Sequence, residues 1–252
     1  MAASPRPASG SSDLLAELAS SLPDLPRWVA PRGLLREGRC GVLLGPEGRR
    51  GAGYLVLEPG GKIAFAVHRP VASLVAQLHS QGPRVRQIAA PIESSEPWRA
   101  LLPGWREQPA VLHVHPSPES LPRPTHPTRL LTLADVDAFA SLPPALAEEL
   151  THALTTGPVA AAFDGARPVS FCYAAYRTES WFDLSIDTLD QNRRRGFATS
   201  AAAHLIHQQL AEGKRPVWGA LDADVASISM AKKYGFRAVD RMMVFQAPPE
   251  SL

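Results

Sequence analysis

Residues 193–198 read Arg-Arg-Arg-Gly-Phe-Ala and stand between a stretch that alternates and one that repeats with helical spacing. Before them, WFDLSIDT alternates: Phe182, Leu184 and Ile186 share one face, while Trp181, Asp183, Ser185 and Asp187 share the other. That is the period of a half-buried strand. After them, TSAAAHLIHQQLAEG reads as a helix ending at Gly213. A strand that enters a helix through a tight, basic, glycine-containing loop aims unpaired N–H groups and the positive end of a helix dipole at one point, which suits a phosphate or pyrophosphate. Three adjacent arginines also describe a solvated turn, so the loop alone leaves both readings open.

The elements that must position this junction are legible on both sides of a proline-rich stretch. Residues 13–20 read as a short helix capped by Asp13. GVLL (41–44), GYLVLE (53–58) and KIAFAVH (62–68) read as strands separated by turn residues, VASLVAQLHS (71–80) as a helix, residues 98–105 as one or two helical turns, and AVLHVH (110–115) as a strand. Residues 116–127 carry five prolines in a dozen positions, a stiff connector that continues neither helix nor central strand. Beyond it the order is strand (129–133), two helices (134–141 and 144–154), a hairpin of 159–163 and 169–176 through Asp164-Gly165, the strand above, the basic loop and its helix, a strand (216–221), a helix (225–233) and a last strand (237–245). The expected organisation is a lead-in over residues 1–12 whose composition predicts disorder, an α/β domain over 13–115, a linker over 116–128 and a second domain over 129–247.

Composition excludes several classes. A chain of 252 residues that is 45% hydrophobic can bury a sizeable core. Its net charge is only +2 and its arginines are scattered, so neither charge nor motif suggests a nucleic-acid partner. Cys40 and Cys172 stand far apart without metal-ligand spacing, which argues against a disulfide scaffold or zinc site and for a reduced, cytoplasmic protein. No apolar run reaches the length of a signal peptide or a membrane span, so no membrane partner is expected. His113 and His115 share a strand face, but two histidines without a third ligand read as sheet surface rather than a metal site.

With these elements in order, the second half resembles the GNAT superfamily of acyl-CoA-dependent N-acyltransferases. Arg193-x-x-Gly196-x-Ala198 is similar to the family's pyrophosphate loop, and Lys233-Tyr234-Gly235-Phe236 to its helix ending in a Gly-Phe pair. SIDTLDQNRRRGFAT with SISMAKKYGF resembles more narrowly the bacterial subfamily that includes zwittermicin-resistance-type acetyltransferases. The resemblance covers about residues 129–246, and implies an α/β (α+β) chain whose second half has the GNAT fold, with a mixed, mostly antiparallel central sheet. The first half has no comparable motif, and its strand-rich order suits a smaller α/β domain of degenerate GNAT-like kind.

The resemblance also assigns residues. Backbone N–H groups around Arg193, Arg194, Arg195, Gly196, Phe197, Ala198 and Thr199 would hold a coenzyme A pyrophosphate, and strand N–H groups of Leu184, Ser185 and Ile186 would meet the pantetheine arm and polarise the thioester. The general base would be Asp183, Asp187 or Glu179, the alternatives being a turn role for Asp187 and a solvated one for Glu179. Ala231 stands where many members carry a tyrosine that protonates the departing thiolate; Tyr234 and Ser227 are the substitutes within reach, the alternatives being packing of the helix end for Tyr234 and capping or surface solvation for Ser227, and Asp224 replaces a common asparagine at a coenzyme contact. Glu148 and Glu149 lie in the region that shapes the acceptor pocket, although a solvated helix face accounts for them as well. The implied activity is transfer of an acetyl group from acetyl-CoA, without a metal, to a primary amine of a small molecule such as an antibiotic or metabolite, by a monomer or homodimer. Two alternatives remain: an amino-acid N-acyltransferase of the glycine-acylating kind, and a non-catalytic CoA-binding sensor or interaction module.

Overall fold

A computed structural model describes residues 12–45, 53–70, 72–81 and 85–248. The lead-in before residue 12 and most of the turn expected at 45–52 lie outside the described residues. In chain order the elements are α1 (Ser12–Ser21), α2 (Val29–Glu37), β1 (Gly41–Leu44), β2 (Tyr54–Leu57), β3 (Ile63–Val67), α3 (Ala72–Gln81), β4 (Gln87–Pro91), α4 (Ser95–Leu101) and β5 (Arg106–Val114). They continue with β6 (Thr128–Leu131), α5 (Pro144–Thr156), β7 (Val159–Asp164), β8 (Arg167–Arg177), β9 (Trp181–Thr188), α6 (Phe197–Ala211), β10 (Arg215–Leu221), α7 (Val225–Lys233) and β11 (Arg237–Gln246). Residues 134–141, expected as an α-helix, form part of a 3-10 helix (Leu133–Ser141), opened by a capping box in which Thr132 and Asp135 serve each other's backbone N–H. Two elements escape the sequence patterns. Helix α2 carries Pro31 and Gly33 inside its span, and β4 is five residues ending in proline. Burial of Val29, Leu34 and Leu35 outweighs the poor helix propensity of α2.

The chain divides into two compact units. The first contains the residues up to 112 with Gly219–Met230 and Ala238–Leu252. Its strand order is β1-β2-β3-β4-β11-β5, with β3 and β4 parallel and the pairs β1–β2, β2–β3 and β4–β11 antiparallel. Leu55, Leu74, Ile88, Trp98 and Phe245, all fully buried, form the centre of its core. The last strand of the chain is thus held in the first unit, and Arg27 ties it there by pairing with Asp240 of β11 and with Glu93.

The second unit contains His113–Trp218 and Ala231–Arg237. Its strands run β10-β9-β8-β7-β6, antiparallel except for β9 and β10. Alanine lets α6 lie close on this sheet: Ala201, Ala202 and Ala203 are buried together with Phe197, Leu205 and Ile206. The two units repeat one plan, an antiparallel run followed by a parallel pair joined through a helix. In each, the parallel ladder is short, covering 63–65 against 87–89 in the first and 181–183 against 215–217 in the second. Only the second has an Arg-Arg-Arg-Gly loop before its crossing helix; the first has His68, Arg69 and Pro70 there.

Candidate functional site

The short parallel ladder leaves one edge of β9 unoccupied by a partner strand. β9 pairs with β8 from Phe182 to Thr188, but its register with β10 stops at Asp183 opposite Val217. Along residues 184–188, alternate N–H and C=O groups on the β10 side lie outside any ladder, so an extended ligand can pair with them. Leu184 is buried, and Ser185 and Ile186 are partly exposed, on this stretch.

β9 leads into a loop whose backbone is unusual. A 3-10 turn (Asp190–Asn192) is followed by Arg194 at φ +59° and Gly196 at φ +91°. Gly196 caps α6 with no side-chain hydrogen bond, and the first intrahelical bond runs from Ser200 N–H to Gly196 O at 3.1 Å. The N–H groups of Phe197, Ala198 and Thr199 therefore have no acceptor within the helix, and the positive end of its dipole is added to them. The three arginines divide by partner. Arg195 is held by Asp164 at 3.0 Å and by the Phe197 ring at 5.1 Å, with buried Asn192 donating to the same carboxylate at 3.1 Å. Arg193 pairs with exposed Asp190 at 2.9 Å. Arg194 shows no hydrogen bond or ion pair among the described residues.

The polar face of β9 carries the chemistry of protons. Asp183 is partly exposed, yet desolvation raises its carboxyl from 3.8 to about 6, against the stabilising N–H of Leu184. Asp187 is raised by burial and by the charge of Glu149, with Tyr173 and Arg193 acting in the other direction. The hydroxyl of Tyr173, itself buried, donates to Glu149 Oε1 and lies 3.2 Å from Asp187 Oδ2. Burial and the two carboxylates hold that phenol protonated. One hydroxyl hydrogen thus serves two acceptors that repel each other, a site that gains from a proton or a cationic ligand.

Other expected residues fall elsewhere. Glu179 is exposed in the β8–β9 turn, before β9 begins and on the far side of Asp183 from the released edge. Tyr234 stacks on Trp218 at 6.1 Å and 27°, and burial pushes its phenol up to about 12. With Trp218, Phe236, Leu121, Pro122 and α6 it lines a small apolar depression. Ala231 is fully buried. Asp224 and Ser227 belong to the first unit, where the Asp224 carboxylate accepts from Ser227 N–H at 2.9 Å and so caps α7. His113 and His115 correct the sheet-surface reading, since both are buried. His113 Nδ1 lies 3.3 Å from Trp218 O, and His115 Nδ1 accepts from Ser117 N–H at 3.1 Å. No group of three or more potential metal ligands occurs among the described residues.

Sequence patterns place Tyr173 inside the strand at 169–176, His126 in the proline-rich linker and Ser200 in the helix, and assign none of them to the site. Tyr173 had a usable signal, because the hairpin places it opposite Ser185, between Asp183 and Asp187.

The comparisons bear on this geometry. Residues 151–245 match the family model described as GNAT acetyltransferase. A GCN5-related N-acetyltransferase-like protein from Streptococcus suis aligns over 94% of this chain and 99% of its own, with 15% identity and a TM-score of 0.65. The chain has the GNAT fold. A GNAT-family acetyltransferase from Colwellia psychrerythraea shares it (14% identity, 95% and 98% covered, TM-score 0.60), as does a tandem GNAT protein from the clavulanic acid biosynthesis pathway (13%, 95% and 94%, 0.58). No curated protein matches the sequence. Because the alignments extend over the first unit too, the GNAT fold is consistent with both halves, as the repeated plan suggests. No helix among the described residues is long and apolar enough to cross a membrane.

Proposed function

We propose that the second unit binds an acyl-coenzyme A, acetyl-CoA foremost, and transfers the acyl group to a primary amine of a small molecule. One observation carries this reading: a glycine-opened helix N-terminus directly follows a strand whose edge is released from its parallel neighbour. The residues fit the coenzyme, since Gly196 adopts a conformation that L side chains avoid and leaves bare backbone beside the unpaired N–H groups.

In this reading the N–H groups of Phe197, Ala198 and Thr199 hold the pyrophosphate, with Arg194 adding charge and Arg193 and Arg195 shaping the loop. The released edge of β9 at Leu184, Ser185 and Ile186 receives the pantetheine arm and donates to the thioester carbonyl. The coenzyme supplies the activated acyl group. Asp183, raised to about 6, is a base matched to neutral pH and takes a proton from the acceptor's ammonium, so that the neutral amine attacks the thioester carbonyl. Glu149, Tyr173 and Asp187 hold the cationic acceptor. Tyr234, kept protonated by burial, is the donor for the departing thiolate in place of the tyrosine missing at Ala231. The resemblance of SIDTLDQNRRRGFAT and SISMAKKYGF to zwittermicin-resistance-type acetyltransferases supports an antibiotic-like amine as acceptor in this reading, and the free thiols of Cys40 and Cys172 support a reducing cytoplasm.

Titration calorimetry with acetyl-CoA and desulfo-CoA tests the reading, and absence of binding at millimolar coenzyme overturns it. Thiol release across a panel of acyl-CoA donors and amines, with glycine among them, then separates an acetyltransferase from an amino-acid acyltransferase. The buried Ala231 favours a second reading, a CoA-binding module without catalysis. Binding without thiol release against any amine would establish it.

A further inference from the structure

The segment between β5 and β6 is more than a connector. Pro118 and Leu121 are buried, and Leu121 reaches the α6 flank beside Ala202, Ala203 and Ile206. Further on, the backbone N–H groups of Thr125 and His126 both donate to Ser200 Oγ, each at 3.1 Å, and Ser200 is fully buried beneath them. This anchor delivers the His126 ring to the basic loop. Its Nε2 lies 2.9 Å from the carbonyl oxygen of Arg195, and its ring centroid lies 4.1 Å from that of Phe197. A Cβ on Gly196 would stand 3.3 Å from the same Nε2. Three consecutive loop residues therefore meet one imidazole.

The loop needs such support. Arg194 sits in a left-handed conformation that costs a residue with a Cβ about 1–2 kcal/mol, and Gly196 caps α6 without any side-chain bond. A carbonyl oxygen only accepts, so the Nε2 of His126 carries the hydrogen in this contact. Because the peptide between Arg195 and Gly196 is trans, fixing its C=O on His126 turns the Gly196 N–H to the opposite side. We infer that His126 is the positioning residue of the phosphate-binding loop: through the Arg195 carbonyl and the Phe197 ring it sets the direction of the N–H groups at residues 196–199. It acts through the loop and does not itself touch the anion.

The inference rests on the coenzyme reading for its functional consequence, but the ordering of the loop can be measured without ligand. In hydrogen–deuterium exchange on the unliganded protein, His126→Ala should speed exchange of amides 193–199 while the strands of the same unit exchange as in wild type. In calorimetry with desulfo-CoA, His126→Ala should weaken binding by about tenfold, and kinetics should show a raised donor KM with kcat kept. His126→Gln, which retains an N–H donor near the Nε2 position, should recover most of the affinity. If His126→Ala binds as wild type, or if loop exchange is unchanged, the positioning role is wrong. If the Gln variant is as defective as the Ala variant, the carbonyl contact is not what orients the loop and the inference fails. If wild type binds no coenzyme, the acyltransferase reading falls, and loop exchange alone then decides for or against His126.

Discussion

Replacing Asp183 by asparagine should stabilise the protein at pH 8 while removing most of its proposed activity. The carboxyl is raised to about 6 from 3.8 because the fold desolvates it, with only the Leu184 N–H in compensation. A group whose folded-state value lies above its unfolded one contributes stability below the unfolded value, and that contribution is lost as pH rises through the folded value. Between about pH 4 and pH 6 the native protein therefore loses stability on account of this group, and above pH 6 the deficit is complete. The gap from 3.8 to about 6, at about 1.36 kcal/mol per pH unit, is about 3 kcal/mol. The residue as a whole keeps some exposure, which reduces the figure to about 2 kcal/mol. Asparagine is near in size, keeps the acceptor for Leu184 N–H and carries no charge to desolvate. Thermal unfolding at pH 8 should thus show Asp183→Asn melting about 5 °C above wild type, given roughly 2–4 °C per kcal/mol for a chain of this size. At pH 4 the two proteins should melt together. In wild type, kcat/KM should rise with pH to a plateau above about 6. The variant should lose that limb and fall by about 100-fold or more, the usual contribution of a general base. An unstabilised variant at pH 8, or an equal gain at both pH values, would refute the desolvation argument; an unchanged pH–rate profile would remove Asp183 from the role of base.

Gly196→Val should abolish coenzyme binding, since φ is +91° and His126 stands 3.3 Å from the new Cβ, whereas Arg194→Ala should weaken it by only about tenfold; calorimetry on both ranks backbone against charge. Ser200→Ala leaves two backbone donors without their acceptor and should cost about 1–3 kcal/mol, read from the urea midpoint at constant m-value. Tyr173→Phe should raise the acceptor KM by about tenfold and leave the donor KM unchanged, because only the bridge between Glu149 and Asp187 is lost; steady-state kinetics with each substrate varied decides it.

Local patterns carried much of the fold. Alternation over Trp181 to Asp187 gave β9 and assigned Asp183 and Asp187 to one face, where the structure has them, and Asp164-Gly165 does turn the β7–β8 hairpin. Helix α2 and strand β4 were not legible, because proline and glycine inside them are overruled by burial that no short window records.

The sequence by itself determined the junction at Gly196. A glycine before an alanine-rich helix, after an alternating strand, specifies unpaired N–H groups whatever surrounds them, since chain geometry within a few residues produces them. Tertiary structure decided what that junction works with. The Tyr173 hydroxyl meets Glu149 and Asp187 across separations of 24 and 14 residues, and His126 reaches Arg195 across 69. No periodicity encodes such meetings. The same applies to Asp183, whose type and face the sequence supplies but whose raised carboxyl comes from the mass the fold packs around it. Of the three arginines, it is partner geometry that commits Arg195 to Asp164 and Arg193 to Asp190.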